Sequence, residues 1–91
     1  MNESLARIKK AIEIAAECPA QHLETARVVE VFRSQTMWDG EVEIFQLEGH
    51  PKAKRAYGWE RNGRVTTVLE IPPVDSANTA VRASIIASVR K

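Results

Sequence analysis

The stretch Ala53–Ile71, AKRAYGWERNGRVTTVLEI, decides the fold. Asn62-Gly63 stands between two alternating runs. Both central residues of a type I′ turn need positive φ, which Asn and Gly adopt most readily, so the stretch predicts a β-hairpin. A two-residue loop sets the register: Arg61 opposite Arg64, Glu60 opposite Val65, Trp59 opposite Thr66, and so back to Arg55 opposite Glu70. One face then carries Ala56, Gly58, Val65, Thr67, Leu69 and Ile71. The other carries Arg55, Tyr57, Trp59, Arg61, Arg64, Thr66, Val68 and Glu70. Small residues opposite large aliphatic ones leave room for a helix to lie close, so the first face is expected in the core. The second is expected to be a half-exposed surface with two aromatics and three arginines.

Upstream, residues 3–17 read as a helix. Leu5, Ile8, Ile12 and Ala15 recur at three- and four-residue spacing, with Ala11 and Ala16 beside them. Asn2 or Ser4 can supply the capping oxygen, and Pro19 ends the helix by withholding an amide. Residues 19–24 read as a connector. The β-branched run Val28, Val29, Val31, Phe32 then predicts a strand from about 26 to 33. Asp39-Gly40 is a second hairpin signal, followed by a strand over 41–47; residues 34–38 fit either a strand extension or a loop. In 41–47 the alternation slips, since Val42 and Ile44 share one face while Phe45 and Leu47 share the other. That pattern needs either two covered faces or a bulge.

Glu48-Gly49-His50-Pro51 punctuates the chain before the Asn-Gly hairpin. After Pro72-Pro73, Asp75 or Ser76 caps a last helix from 77 to about 90, whose apolar line is Ala77, Val81, Ile85 and Val89. Arg90 and Lys91 stand at the favourable end of its dipole. The expected architecture is a single α+β domain spanning 1–91, in the order α-β-β-β-β-α. Short connections favour an antiparallel meander, and both helices are expected on one sheet face, leaving the aromatic-basic face open.

Composition narrows the function classes. Ninety-one residues with 44% hydrophobic and 27% charged content make one ordinary globular domain. A net charge of +1 supplies no global attraction for nucleic acid or anionic membrane. One cysteine, Cys18, cannot form an intramolecular disulfide and fits a reducing compartment. No apolar run approaches the roughly 20 residues of a membrane span, and MNESLARIKK lacks the apolar core of a signal peptide. The cytoplasm and no membrane contact are the expectation.

The candidate binding residues are Arg55, Tyr57, Trp59, Arg61 and Arg64, with Lys52 and Lys54 just upstream. Aromatics interleaved with cations are what single-stranded nucleic-acid platforms use, because bases stack on rings while cations follow phosphates. The competing reading is structural: Asp39, Glu41, Glu43 and Glu48 form an acidic stretch that a neighbouring basic strand would neutralise through cross-strand pairs, Arg55 with Glu70 among them. An exposed aromatic pair also suits a protein partner or a homodimer.

Cys18 and His22 with His50 do not complete a recognisable zinc pattern, and neither histidine gains the third, orienting group a nucleophile needs. No phosphate-cradling glycine loop or hydrolase motif occurs. The expectation is therefore no catalytic residue, no metal and no cofactor: a binding module, with protein contact or self-association ahead of nucleic-acid binding and an enzyme least supported.

The element order resembles that of a double-stranded-RNA-binding domain, in which a three-stranded sheet is flanked by two helices. That family binds phosphates through lysines at the start of its last helix. The corresponding helix here begins Asp75-Ser76-Ala77-Asn78-Thr79, without lysine, so the resemblance does not carry the activity with it.

Overall fold

The computed structural model describes residues 3–72 and 74–89. Asn2, Arg90 and Lys91 lie outside it, and with them the Asn2 cap and the basic end of the last helix. The elements are α1 (Glu3–Ala16), β1 (Ala20–Phe32), β2 (Gln35–Leu47), β3 (Arg55–Arg61), β4 (Arg64–Leu69) and α2 (Ala77–Val89). The strands form one antiparallel sheet in the order β1-β2-β3-β4, a meander in an α+β domain.

The β3–β4 hairpin has the register its turn dictates, from Arg61↔Arg64 through Trp59↔Thr66 to Ala56↔Leu69. Asn62 and Gly63 both take positive φ, 52° and 76°. The first hairpin departs from expectation. Asp39-Gly40 is no turn but lies mid-strand in β2, where Gly40 faces Val28 across the ladder. A Cβ at Gly40 would come within 3.1 Å of the Trp38 ring, so this glycine leaves space for an indole. The turn is made instead by Arg33 and Ser34, both at positive φ (52° and 64°). Residues 19–24 are not a connector either: β1 begins at Ala20 and pairs with β2 from Leu47 onward, with a register shift between His22 and Glu24. β1 and β2 thus form a long arm, of which β3 pairs only with Glu43–Gln46.

The helices lie on opposite faces of the sheet, which corrects the expectation that both share one. Ile8, Ile12 and Ala16 of α1 pack with Ala20, Phe45, Leu47, Ala53 and Ala56, with Leu5, Val65 and Leu69 at the margin. Ala16 takes the inward position expected of Ala15, which is exposed. Ala77, Ala80 and Val81 of α2 pack with Val28, Trp38, Val42, Ile44, Tyr57 and Trp59 on the other side. The slipped alternation of β2 has its cause here: Val42 and Ile44 belong to the α2 core, Phe45 and Leu47 to the α1 core. Magnitude explains why the second face is covered. At about 25 cal/mol per Å², burying a Tyr or Trp of roughly 150–250 Å² contributes on the order of 4–6 kcal/mol. Three such side chains, Trp38, Tyr57 and Trp59, lie on this face beside Val28, Val42 and Ile44, so covering it with α2 removes a large apolar area from water.

Local chemistry fixes the helix ends. Ser76 Oγ accepts from the Thr79 amide (3.2 Å), while Thr79 Oγ1 accepts from the amides of Asp75 and Ser76 (2.9 Å each), a reciprocal cap. Ser4 lies in the first turn of α1 and donates to Glu60 at 2.6 Å. At the other end of α1, Glu17 takes the left-handed conformation (φ 56°). Glu13 Oε2 accepts the Ala20 amide at 3.0 Å, which joins the helix to the start of β1 and holds the Glu13 carboxyl below its ordinary pKa.

Candidate binding surface

The five sequence-predicted residues do not form one surface. Tyr57 and Trp59 are 1% and 4% exposed, buried beneath α2, while Arg55, Arg61 and Arg64 are exposed. The Trp59 ring meets Trp38 edge-on with centroids 5.5 Å apart. The Tyr57 hydroxyl donates to Glu70, and burial followed by that bond raises the phenol pKa well above its ordinary value. No ring of β3 is left for a base to stack on. The open aromatic-basic face expected from the hairpin pattern is absent, because alternation tells which residues share a face and not what lies over it.

The expected cross-strand neutralisation is also differently made. Two acids of β2 turn to β1: Asp39 pairs with Arg27 at 2.7 Å, and Glu43 meets His22 Nε2 at 2.9 Å and accepts from the Thr25 hydroxyl. Arg61 lies over the Trp38 ring, 4.9 Å from its centroid, and Nη2 donates to the Asp39 carbonyl at 3.2 Å. Glu70 takes the Tyr57 hydroxyl rather than Arg55. Among the described residues, Lys52, Lys54, Arg55 and Arg64 form no ion pair. They divide between the two ends of the hairpin, Lys52, Lys54 and Arg55 at one and Arg64 at the other, so they make no single cluster.

The remaining chemistry-bearing side chains have structural partners. His50 Nδ1 accepts the amides of Lys52 (3.0 Å) and Ala53 (2.8 Å), shaping the loop before β3. His22 stacks edge-on against Phe45 at 5.2 Å. Cys18 is half-buried against the α1 core. Among the described residues, no three His, Cys, Asp or Glu side chains are grouped to hold a metal ion, and no helix is long and apolar enough to cross a membrane.

What pattern reading missed is the arm. α1 lies over the β3–β4 side of its face and over the proximal part of β1–β2, where Ala20, Phe45 and Leu47 are buried. Farther along the same face of β1, Thr25, Arg27, Val29 and Val31 are all exposed. Val29 and Val31 are 45% and 59% exposed, and Leu23, at the register shift, is exposed as well. Among the described residues β1 has one strand neighbour, β2, so its other edge carries no ladder. It contains neither Pro nor Lys, two of the usual safeguards of an edge. β4, the opposite edge, is short, and Pro72 follows it closely. The signal available in the sequence was the run Val28-Val29-Glu30-Val31, apolar on both parities and without proline. No protein-family model, curated protein or solved structure matches this chain.

Proposed function

We propose that this domain is a protein-contact module that works by self-association, and that its docking element is the uncovered edge and face of the β1–β2 arm. The reading rests on one observation: a long edge strand whose Val29 and Val31 are exposed on the face opposite α2, with none of the described residues folded over them. Exposed strand edges are templates for further strands, and apolar side chains alternating along them supply the specificity. The aromatic-basic reading loses its support with Tyr57 and Trp59 under α2, since base stacking needs open rings. The single cysteine favours a reducing compartment, and the cytoplasm is the proposed location.

Sedimentation velocity over a hundredfold concentration range, paired with titration of labelled single-stranded DNA and RNA at low salt, tests this. The expected result is a mass that rises with concentration toward twice the chain mass, and that stays at the chain mass in a Val29→Lys, Val31→Lys variant. Both positions are exposed, so the variant keeps the fold. Micromolar nucleic-acid binding that weakens steeply with salt would overturn the proposal, because counterion release is the mark of a phosphate-binding surface.

A further inference from the structure

We infer that two copies of the chain join by antiparallel pairing of their β1 strands about a twofold axis at Val29, merging two four-stranded sheets into one. The inference rests on the protein-contact reading above and adds its partner and its geometry. A twofold axis perpendicular to a sheet sets residues of the same face opposite one another, so only certain registers exist. Charge removes most of them. An axis at Arg27 would set Arg27 against itself and Glu24 against Glu30 of the other copy. An axis at Glu30 would set Glu30 against itself and Arg27 against Arg33. Like charges directly opposite destabilise a sheet.

An axis at Thr25 or Ala26 drives the pairing into the register shift at His22 and Glu24, and one at Val31 runs at once into the Arg33-Ser34 turn. Two registers remain that avoid both obstacles and like-charge pairs, centred on Val28 and on Val29. The Val29 axis sets Val29 against Val29, Arg27 against Val31, and Val28 against Glu30. It alone brings the exposed valines of both copies into one diagonal run, Val31-Val29-Val29-Val31, within reach of cross-strand packing. Arg27 is already tied to its own Asp39 at 2.7 Å, so its charge is balanced beside the other copy's Val31. Glu30 is likewise held by Arg82 at 3.0 Å, which lowers its pKa. The edge is thus its own complement, and a net charge of +1 sets up no long-range repulsion between copies.

Cysteine linking tests the geometry. Cys18 is the single native cysteine, so variants are made on a Cys18→Ser background whose mass is first measured by sedimentation. At a concentration where that chain is dimeric, Val29→Cys should convert to a disulfide-linked dimer under diamide. Thr36→Cys, exposed on β2 one strand inward, should link at least tenfold more slowly. A mixture of Arg27→Cys and Val31→Cys chains should give the mixed dimer in excess over either like pair. A dimeric mass without linkage at Val29, or preferred linkage of Arg27→Cys with Val29→Cys, would overturn the inference and leave self-association standing. A monomer at every concentration would overturn both.

Discussion

Glu60 shows most clearly how single residues hold this fold. It accepts from Arg7 Nε at 2.9 Å, Arg7 Nη2 at 2.8 Å and Ser4 Oγ at 2.6 Å, so β3 is tied to the first turns of α1. Those bonds to Arg7 and Ser4 bring its carboxyl from the ordinary 4.5 to about 2. A depressed carboxylate stabilises the folded state fully above its unfolded value, and the contribution is lost as pH falls from about 4.5 through about 2. Chemical denaturation of Glu60→Gln and the wild type should therefore show a gap in midpoint at pH 7 that closes as pH approaches 2. A gap of constant size across that window would mean the carboxylate contributes nothing through its charge. At this scale the sequence was only partly legible. Asn62-Gly63 announced its turn, whereas Arg33-Ser34 adopts the same left-handed geometry without a residue that prefers it. Asp39-Gly40 looked like a turn because a glycine that makes room for a ring and one that reverses a chain are spelled alike.

Between elements, α1 approaches β3 closely at Gly58. A Cβ placed on Gly58 would lie 2.5 Å from Ile8 Cγ2 and 3.2 Å from Ile12 Cδ1. Ile8 is β-branched and on a helix, so its χ1 has little freedom to yield. Gly58→Ala is expected to destabilise the domain by about 1–3 kcal/mol through overpacking. Ile8→Ala should cost about 2–5 kcal/mol through the cavity it leaves. The double variant should cost clearly less than the sum, because the added methyl occupies part of that cavity. Urea midpoints for the four proteins check this, and strict additivity would show that the two side chains do not meet. The hairpin face that makes this contact was readable from alternation, as Ala56 and Gly58 opposite Leu69 and Thr67 mark a surface made for a close helix. The partner of the opposite face was not readable. Which helix covers which side depends on where the chain crosses after Ile71, and the bond from the Val74 amide to the Ile71 carbonyl at 3.0 Å lies in that crossing, whose direction local sequence does not encode.

Across the whole molecule, protection from solvent is uneven in a way that exposes the function to measurement. Phe45 and Ala56 lie under α1, Ile44 and Tyr57 under α2, and these residues belong to the two interior strands. Their amides are flanked by strands on both sides and by packed layers above and below, so they open only with global unfolding. β1 from Thr25 to Val31 has a strand on one side alone and an uncovered face, which predicts much faster exchange there. Composition and charge had pointed toward contact rather than catalysis, yet the proposed location of that contact depends on which part of the sheet the helices leave uncovered. Hydrogen exchange of backbone amides at two protein concentrations joins these points. In dilute solution Thr25–Val31 should exchange fastest among the strands, and residues 43–46 and 56–59 slowest. At high concentration, β1 should gain protection while β4, the other edge, stays unchanged, because only a second strand laid along β1 supplies partners for its outward amides. Protection of β1 that ignores concentration, or a gain on β4 instead, would place the contact elsewhere on the molecule.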